Sequence, residues 1–223
     1  MKAPHQGMKP FRDRADAGLF LAEELKAYAD MSDVVVLALP RGGVPVAAVV
    51  AKRLGLSLDV VVVRKLGLPG QEELAMGAIA SGGRTLLNIP LIRSLGIPAA
   101  SVEKVVRREE QERARREALY RGERPPIDLK GRTVILIDDG LATGATMLAA
   151  ARAARADGAK RVVVAVPVAA RAACSQISRE VDEVYCGYMP EPFHAVGAHY
   201  ERFDQTTDEE ILELLAERRE SER

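Results

Sequence analysis

The chain has 223 residues, of which 48% are hydrophobic and 29% are charged, a composition typical of a soluble globular protein with one sizeable domain. The formal net charge is zero, so no global field attracts nucleic acid or an anionic membrane, and we expect neither as a partner. Residues 1–10 lack an apolar stretch, and no uncharged apolar run reaches the roughly 20 residues of a spanning helix. These features predict a cytoplasmic protein.

The two cysteines, Cys174 and Cys186, do not form a Cys-x-x-Cys pair. They suit a reducing compartment, where cysteines pack as small apolar side chains. We therefore expect buried thiols rather than a disulfide.

The first half of the chain alternates between helices and strands. Apolar residues near helical spacing predict an amphipathic helix over residues 11–30. Continuous apolar runs at 34–39 and 58–63 predict parallel strands buried on both faces, with a small-residue helix over 44–54 between them. Residues 66–83 are spotted with glycine and predict a long loop or a mobile hairpin, the kind of segment that often forms a functional lid.

The second half continues this alternation. A short strand is predicted at 85–89, and a long charged helix over 101–122 with Ser101 as its N-cap. Glutamates alternate with the arginines of that helix, which favours a solvated face with i,i+4 ion pairs over a nucleic-acid site. The remaining predicted elements are strands starting at 134 and spanning 161–168 and 181–185, and helices ending near 157 and spanning 170–179 and 207–218. Thr207 and Glu210 match a capping box at the start of the last of these helices, with Thr207 as its N-cap.

The alternation runs through the whole chain without an internal repeat or a low-complexity linker. Such a pattern predicts an α/β fold with a doubly wound, mostly parallel sheet. We expect one domain over residues 1–223, with its core over 11–188 and a small C-terminal hood and final helix over 189–220.

The most informative stretch is residues 134–146, with the sequence VILIDDGLATGAT. An apolar strand ends in Asp138 and Asp139, and a loop containing Gly144 leads into a helix. The unpaired N–H groups and the positive dipole end of that helix favour a phosphate in the loop. The carboxylates would repel this phosphate unless they accept hydrogen bonds from hydroxyls or lie near a divalent cation. A phosphate, a vicinal diol and a metal together describe a ribose 5-phosphate with further phosphate at C1.

This stretch resembles the phosphoribosyl pyrophosphate (PRPP) motif of the type I phosphoribosyltransferases. The resemblance implies that Asp138 and Asp139 hold the ribose 2′- and 3′-hydroxyls. It also implies Mg²⁺ as a cofactor, held mainly through PRPP near these two residues rather than by direct protein ligands. The alternative is a structural strand–loop–helix turn. The implied loop for the 5′-phosphate comprises Gly140, Leu141, Ala142, Thr143, Gly144, Ala145 and Thr146.

A second loop, LPRGGVP at residues 39–45, also follows an apolar strand and opens a helix. The arginine followed by two glycines suits an anion site. It resembles the pyrophosphate loop of the same family, which implies that Arg41, Gly42 and Gly43 hold the leaving diphosphate. The alternative is a plain turn with an exposed arginine.

Arg64 and Lys65 follow the strand predicted at 58–63. Two cations in this position either extend to water or face an anion. The resemblance implies that they contact pyrophosphate, and that the glycine-spotted segment after them closes over the site and excludes water.

The segment from 189 to 206 is irregular and contains most of the later aromatic residues. The resemblance places the hood here, the element that receives the acceptor. The aromatic side chains could stack on a planar ring, or could instead form a small core of the hood itself with the histidines at its surface. The candidate acceptor residues are Phe193, His194, Tyr200, Phe203 and Asp204, with His199 as a further polar candidate.

Position 142 bears on the acceptor. Transferases that act on 6-oxopurines usually carry an aspartate just before the Thr-Gly pair, where this chain has Ala142. This departure weakens a hypoxanthine or guanine assignment and leaves adenine-like, orotate- or uracil-like and non-nucleobase acceptors open. The whole string most resembles a bacterial subgroup of the superfamily with a poorly defined acceptor.

The resemblance implies a phosphoribosyltransferase, an enzyme that transfers 5-phosphoribosyl from Mg²⁺-PRPP to a nitrogen base or related small-molecule acceptor and releases pyrophosphate. Asp138, Asp139 and Arg41 are the implied catalytic groups, acting through orientation and electrostatics. Two other functions stay open, a non-catalytic PRPP-sensing regulator and a ribose-phosphate hydrolase or phosphorylase. A homodimer also stays open, because related enzymes are commonly dimers.

Overall fold

A computed structural model describes residues 9–122 and 124–220. In chain order, the helices are α1 (Arg14–Glu24), α2 (Gly43–Leu54), α3 (Ile89–Ser94), α4 (Ala99–Arg121), α5 (Ala145–Ala156), α6 (Arg171–Ile177) and α7 (Asp208–Glu220). The strands are β1 (Val34–Ala38), β2 (Ser57–Val60), β3 (Arg64–Leu68), β4 (Gln71–Ala80), β5 (Arg84–Leu87), β6 (Thr133–Ile137), β7 (Arg161–Val168) and β8 (Glu183–Tyr188).

The larger sheet has five parallel strands in the order β2-β1-β6-β7-β8. Its inner strands are buried on both faces, as the apolar runs of the sequence predict. Helices α1, α2 and α7 pack on one face, and α5 and α6 pack on the other. The predicted α/β fold with a doubly wound parallel sheet is confirmed.

Residues 64–87 form a second, antiparallel sheet with the order β3-β4-β5. The prediction of a long loop here is wrong, while the alternative of a hairpin describes β3 and β4. A small apolar cluster around Leu66, Met76 and Val102 joins this sheet to α4. The glycines that weaken the sequence pattern are needed for close backbone approach, since a Cβ at Gly67 would lie 2.6 Å from the carbonyl oxygen of Glu72.

The long helix α4 begins at Ala99 after Pro98, so the prediction of Ser101 as its N-cap is wrong. The predicted i,i+4 ion pairs are present, for example between Arg107 and Glu103. The helix face is nevertheless not fully solvated, because Arg121 is buried and pairs with buried Asp59 at an Nη2–Oδ2 distance of 3.0 Å. This pair fastens the end of α4 to the edge strand β2.

The expectation of two thiols is also wrong. Cys174 on α6 and Cys186 on β8 are joined by a disulfide, although both are buried as predicted. The two cysteines are 12 positions apart in the sequence. Their sulfur atoms come together only because α6 packs against the edge strand β8.

The hood, residues 189–206, crosses from β8 back to the start of the chain. Phe11 forms an isolated parallel bridge with Tyr200. The final helix α7 begins after Thr207, whose Oγ1 accepts a hydrogen bond from the Glu210 N–H at 3.1 Å, which confirms the predicted N-cap. None of the described helices has the length and apolarity that crossing a membrane requires.

Candidate functional site

The loop after β6 connects the acid pair to α5. Gly144 is the N-cap of α5 and has a φ of 76°, in the left-handed region that favours glycine. Because glycine has no side chain with which to cap, the first N–H groups of α5 face this loop without an acceptor from their own cap residue. The solvent-facing residues of the loop and first turn are Ala142, Thr143, Ala145 and Thr146.

The loop is fixed to its surroundings at its start. Leu141 is buried, its N–H donates to the Val168 carbonyl at 2.9 Å, and its carbonyl accepts from the Ala170 N–H at 2.8 Å. A Cβ at Gly140 would overlap the side chain of Val196 in the hood. The start of the loop is therefore held between the end of β7 and the hood.

Asp138 and Asp139 lie where β6 ends. The Asp138 carboxylate accepts a hydrogen bond from the Asp139 N–H at 2.8 Å. Burial, with the neighbouring charge of Asp139 as a second cause, holds the pKa of Asp138 well above its usual value. Burial also raises the pKa of Asp139, and a nearby guanidinium opposes that rise. Two adjacent desolvated carboxylates are a costly arrangement in the absence of a ligand.

That guanidinium belongs to Arg14 at the start of α1. Its Nε and Nη2 atoms each lie 2.9 Å from Asp139 Oδ2, and its Nη1 donates to the Asp204 carbonyl at 2.7 Å. The Arg14 and Asp139 side chains are only 13% and 15% exposed. The guanidinium carbon also lies 4.0 Å from the centroid of the Phe203 ring. Arg14 thus contacts both the acid pair and the hood.

The loop containing Arg41 lies directly beside the acid pair. β1 and β6 are neighbours in the sheet, and the Leu39 N–H donates to the Ile137 carbonyl at 2.9 Å. A Cβ at Gly42 would overlap Asp139 Oδ2, and one at Gly43 would lie 2.7 Å from the Ile137 carbonyl. The structure therefore brings both glycine-containing loops together, and only glycine permits so close an approach.

The Arg41 side chain reaches the first residue of α7. Its Nε lies 3.5 Å from Asp208 Oδ1, and both side chains are 34% exposed. The hydroxyl of buried Tyr120, on α4, donates to the same Asp208 oxygen at 2.7 Å. Burial, with this hydrogen bond as a second cause, raises the pKa of Tyr120 to about 12, so the hydroxyl keeps its proton as donor.

Arg64 and Lys65 lie at the start of β3. Arg64 Nη2 lies 2.7 Å from an oxygen of Glu109, a buried residue of α4. Arg64 thus forms an ion pair with α4. Lys65 is exposed and stands opposite Ala78 of β4.

The hood aromatics pack largely on one another and on α1. Tyr200 is buried, its ring centroid lies 5.7 Å from that of Phe11 and 4.9 Å from that of Phe203, and its hydroxyl donates to the Asp139 carbonyl at 2.7 Å. Phe193 stacks on His199 with ring centroids 6.0 Å apart. This arrangement matches the alternative in which the hood has a small core of its own.

The exposed polar candidates of the hood are His194 and Asp204. The backbone of Asp204 is held by Arg14, which leaves its carboxylate at the surface. Burial lowers the pKa of His199, with His194 as a second cause. Neutral His199 suits its position between the rings of Phe193 and Tyr188.

A family model described as "Phosphoribosyl transferase domain" matches residues 12–186. The chain belongs to this family. It is 47% identical over 208 residues to a Mycobacterium tuberculosis protein named "Putative phosphoribosyl transferase Rv0571c", a match that covers 93% of this chain and 47% of that relative. The chain therefore spans about half the length of this relative.

Among solved structures, TT1426 from Thermus thermophilus shares 44% identity and a TM-score of 0.84 with this phosphoribosyl transferase domain. That match covers 94% of this chain and 99% of TT1426. A shorter match, 42% identical over 60 residues, connects 26% of the chain to 21% of a ribose-phosphate pyrophosphokinase of Thermococcus kodakarensis.

Sequence reasoning missed Arg14, Asp208 and Tyr120. Arg14 and Asp139 are 125 positions apart, and nothing in the α1 sequence distinguishes Arg14 from the exposed Arg12 beside it. Asp208 looks like an ordinary acidic first-turn residue of α7. Only the packing of both helices on one face of the sheet brings these side chains to the loops of the transferase domain.

Within the described residues, no group of three or more His, Cys, Asp or Glu side chains has the arrangement of a metal site. Asp138 and Asp139 directly precede the loop from Gly140 to Gly144, and Arg14 already forms an ion pair with Asp139. Such a donor set fits a cation that brings most of its oxygen ligands with a bound phosphate compound.

Proposed function

We propose that this protein transfers a 5-phosphoribosyl group from PRPP to a nitrogen nucleophile and releases pyrophosphate. The observation that carries the proposal is the close approach of two strand-end loops, in which Gly42 leaves no room for a Cβ beside Asp139 Oδ2. One loop offers helix N–H groups for a 5′-phosphate, and the other offers Arg41 for a diphosphate. Carboxylates that suit a vicinal diol lie between them.

Each part of PRPP then has a partner. The 5′-phosphate occupies the loop from Gly140 to Thr146, with N–H donors from the first turn of α5. Asp138 and Asp139 accept hydrogen bonds from the ribose hydroxyls. Arg41 and the backbone around Gly42 and Gly43 receive the diphosphate.

The reaction breaks the bond from C1 to the diphosphate oxygen and forms a bond from C1 to the acceptor nitrogen, which loses a proton. Positive charge that develops on the ribose is stabilised by the acid pair, while Arg41 stabilises the departing diphosphate. Holding C1 in place between two fixed loops lowers the entropic barrier to attack. Bound Mg²⁺ would neutralise further charge on the diphosphate, near Asp138 and Asp139.

The acceptor belongs on the hood side of the acid pair. Ala142 supplies no carboxylate at the loop position where transferases of 6-oxopurines usually carry one, which favours acceptors other than hypoxanthine and guanine. His194 and Asp204 are the exposed polar side chains of the hood that could contact such an acceptor. We propose a nitrogen heterocycle whose nucleophilic atom faces C1 of the ribose.

Calorimetric titration of PRPP in the presence of Mg²⁺ tests this function. We expect saturable binding by the wild type and a loss of at least about tenfold in affinity in Asp138→Asn/Asp139→Asn, because two charged acceptors of the diol are removed. Absence of binding by folded wild type would overturn the proposal.

Where PRPP binds, a panel of bases assayed for pyrophosphate release identifies the acceptor. Release of pyrophosphate and ribose 5-phosphate without any base would indicate hydrolysis instead of transfer. Binding without turnover on any base would indicate a PRPP sensor.

A further inference from the structure

Arg14 occupies a position between the acid pair and the hood that the proposed transfer reaction does not by itself explain. Three of its N–H groups are committed, with Nε and Nη2 directed to Asp139 Oδ2 and Nη1 to the Asp204 carbonyl. The guanidinium also lies over the Phe203 ring. A planar guanidinium with several fixed partners has little remaining freedom, unlike a flexible lysine.

The place of Arg14 is set by the backbone around it. The Phe11 N–H donates to the His199 carbonyl at 3.0 Å, and the Phe11 carbonyl accepts from the Glu201 N–H at 2.8 Å. The Arg202 N–H then donates to the Arg12 carbonyl at 3.0 Å. The segment before α1 is thus paired with the hood, and α1 begins with Arg14 aimed at the end of β6.

We propose that Arg14 is a positioning residue that orients Asp139 for the ribose diol and ties this carboxylate to the hood. The proposal rests on the proposed function. Because both contacts of Arg14 with the Asp139 carboxylate end on Oδ2, we assign the other oxygen, Oδ1, to a ribose hydroxyl. A second contact fixes the backbone of Asp139, because the Tyr200 hydroxyl donates a hydrogen bond to its carbonyl.

The physical need for Arg14 comes from Asp138. Two adjacent carboxylates in a desolvated site repel each other, and without a cation they would share a proton or rotate apart. A guanidinium in two-point contact supplies opposite charge and fixes the rotation of one carboxylate. Removing Arg14 should therefore weaken recognition of the ribose more than recognition of the diphosphate.

The experiment compares Arg14→Met, Arg14→Lys and the matched control Arg12→Met, whose parent side chain is 69% exposed and pairs only with Asp16 among the described ion pairs. Binding of ribose 5-phosphate, 2-deoxyribose 5-phosphate and inorganic pyrophosphate is measured by calorimetry. We expect Arg14→Met to bind ribose 5-phosphate about tenfold more weakly and to lose most of the preference over the deoxy sugar. Pyrophosphate affinity should stay within about twofold, and Arg14→Lys should recover part of the preference.

A double-mutant cycle shows whether Arg14 acts through Asp139. In an Asp139→Asn background, Arg14→Met should cost little further affinity for ribose 5-phosphate, because the carboxylate that it orients is gone. Arg14→Lys carries the test if Arg14→Met does not fold, as judged by circular dichroism.

Three results would decide against the inference. They are an unchanged sugar preference in Arg14→Met, an equal loss of pyrophosphate binding, and a full additional loss in the Asp139→Asn background. Failure of the proposed function looks different, because wild type itself would then bind neither PRPP nor ribose 5-phosphate, and Arg14 would have no diol to position.

Discussion

At the scale of single residues, the burial of Asp138 in the candidate site lowers the stability of the folded protein. Its carboxyl is buried beside Asp139, which raises its pKa above the ordinary value of 3.8. An acid with a raised pKa in the folded state contributes stability below its unfolded pKa and loses that contribution as the pH rises through the folded pKa. At neutral pH, which lies above the unfolded pKa, the buried Asp138 carboxyl group therefore destabilises the folded protein.

We expect Asp138→Asn to raise the unfolding temperature at about pH 8 and to have little effect at about pH 4, because the amide cannot ionise. Thermal unfolding of wild type and variant across this pH range measures the difference in unfolding temperature.

Asp16→Asn is the matched control, for which we expect a lower rather than a higher unfolding temperature. The hydrogen bond from Arg12 lowers the pKa of Asp16, so its removal should cost stability above the ordinary pKa and not at low pH. A gain in Asp138→Asn that is the same at every pH would contradict this account.

At the scale of elements, the start of α7 contacts the loop that contains Arg41. Asp208 holds Arg41 at 3.5 Å and is itself fixed by the Tyr120 hydroxyl. A diphosphate that binds Arg41 must displace this carboxylate or tolerate its charge. Under the proposed function, α7 thus competes with the diphosphate for the Arg41 guanidinium.

We expect Asp208→Asn to bind pyrophosphate about threefold more tightly, a modest gain because the ion pair is one-third exposed and partly screened by water. Calorimetry with pyrophosphate measures the change. Glu209→Gln removes a charge from the next residue of α7, which is exposed, and should leave the affinity unchanged. Equal gains in both variants would show a general effect of net charge instead of competition at Arg41.

The disulfide between Cys174 on α6 and Cys186 on β8 closes a loop of 12 residues. Constraint of the unfolded chain by a loop of this size is worth about 3 kcal/mol. We expect reduction to lower the free energy of unfolding by about this amount, as measured by urea denaturation with and without reductant. The double variant Cys174→Ser/Cys186→Ser should not respond to reductant. Two free thiols per chain in the unreduced, denatured protein would contradict the disulfide.

The sequence predicts elements well where one local signal decides them. The apolar runs of β1, β6 and β7 and the Thr207 cap of α7 are of this kind. It fails where distant parts of the chain decide the structure. The sheet over 64–87 depends on its packing against α4, and the disulfide depends on the docking of α6 on an edge strand.

The candidate site divides in the same way. The motifs after β1 and β6 are contiguous in sequence, and the parallel pairing of these strands brings Arg41, Gly42 and Asp139 together. Arg14 and Asp208 enter from the first and last helices, and no periodicity or spacing marks them. Tyr200 was predicted as an acceptor residue, a prediction that is still to be tested. In the structure, Tyr200 contacts other residues of the protein, namely the rings of Phe11 and Phe203 and the Asp139 carbonyl.

At the scale of the whole molecule, the two sheets differ in how they are stabilised. Strands β1 and β6 are fully buried within two large apolar clusters. Strand β5 has no buried residue, and the antiparallel sheet depends on a small cluster shared with α4 and on polar contacts such as Arg64 with Glu109. Segments with few buried contacts open at lower free energy than a core does.

We therefore expect hydrogen exchange to be faster by orders of magnitude in β3, β4 and β5 than in β1, β6 and β7, as measured by mass spectrometry of peptides from the native protein. Glu109→Gln should accelerate exchange in β3 further, because Arg64 loses its buried carboxylate partner, and should leave β6 and β7 unchanged. The matched control is Glu103→Gln, an exposed position of α4 that pairs with Arg107 and not with the sheet.

If PRPP binds under the antiparallel sheet, its addition should slow exchange in β3 and β4. Exchange as slow in β5 as in β6, or an equal response to Glu109→Gln and Glu103→Gln, would show that the two sheets open as one unit and that the antiparallel sheet does not act as a separate lid.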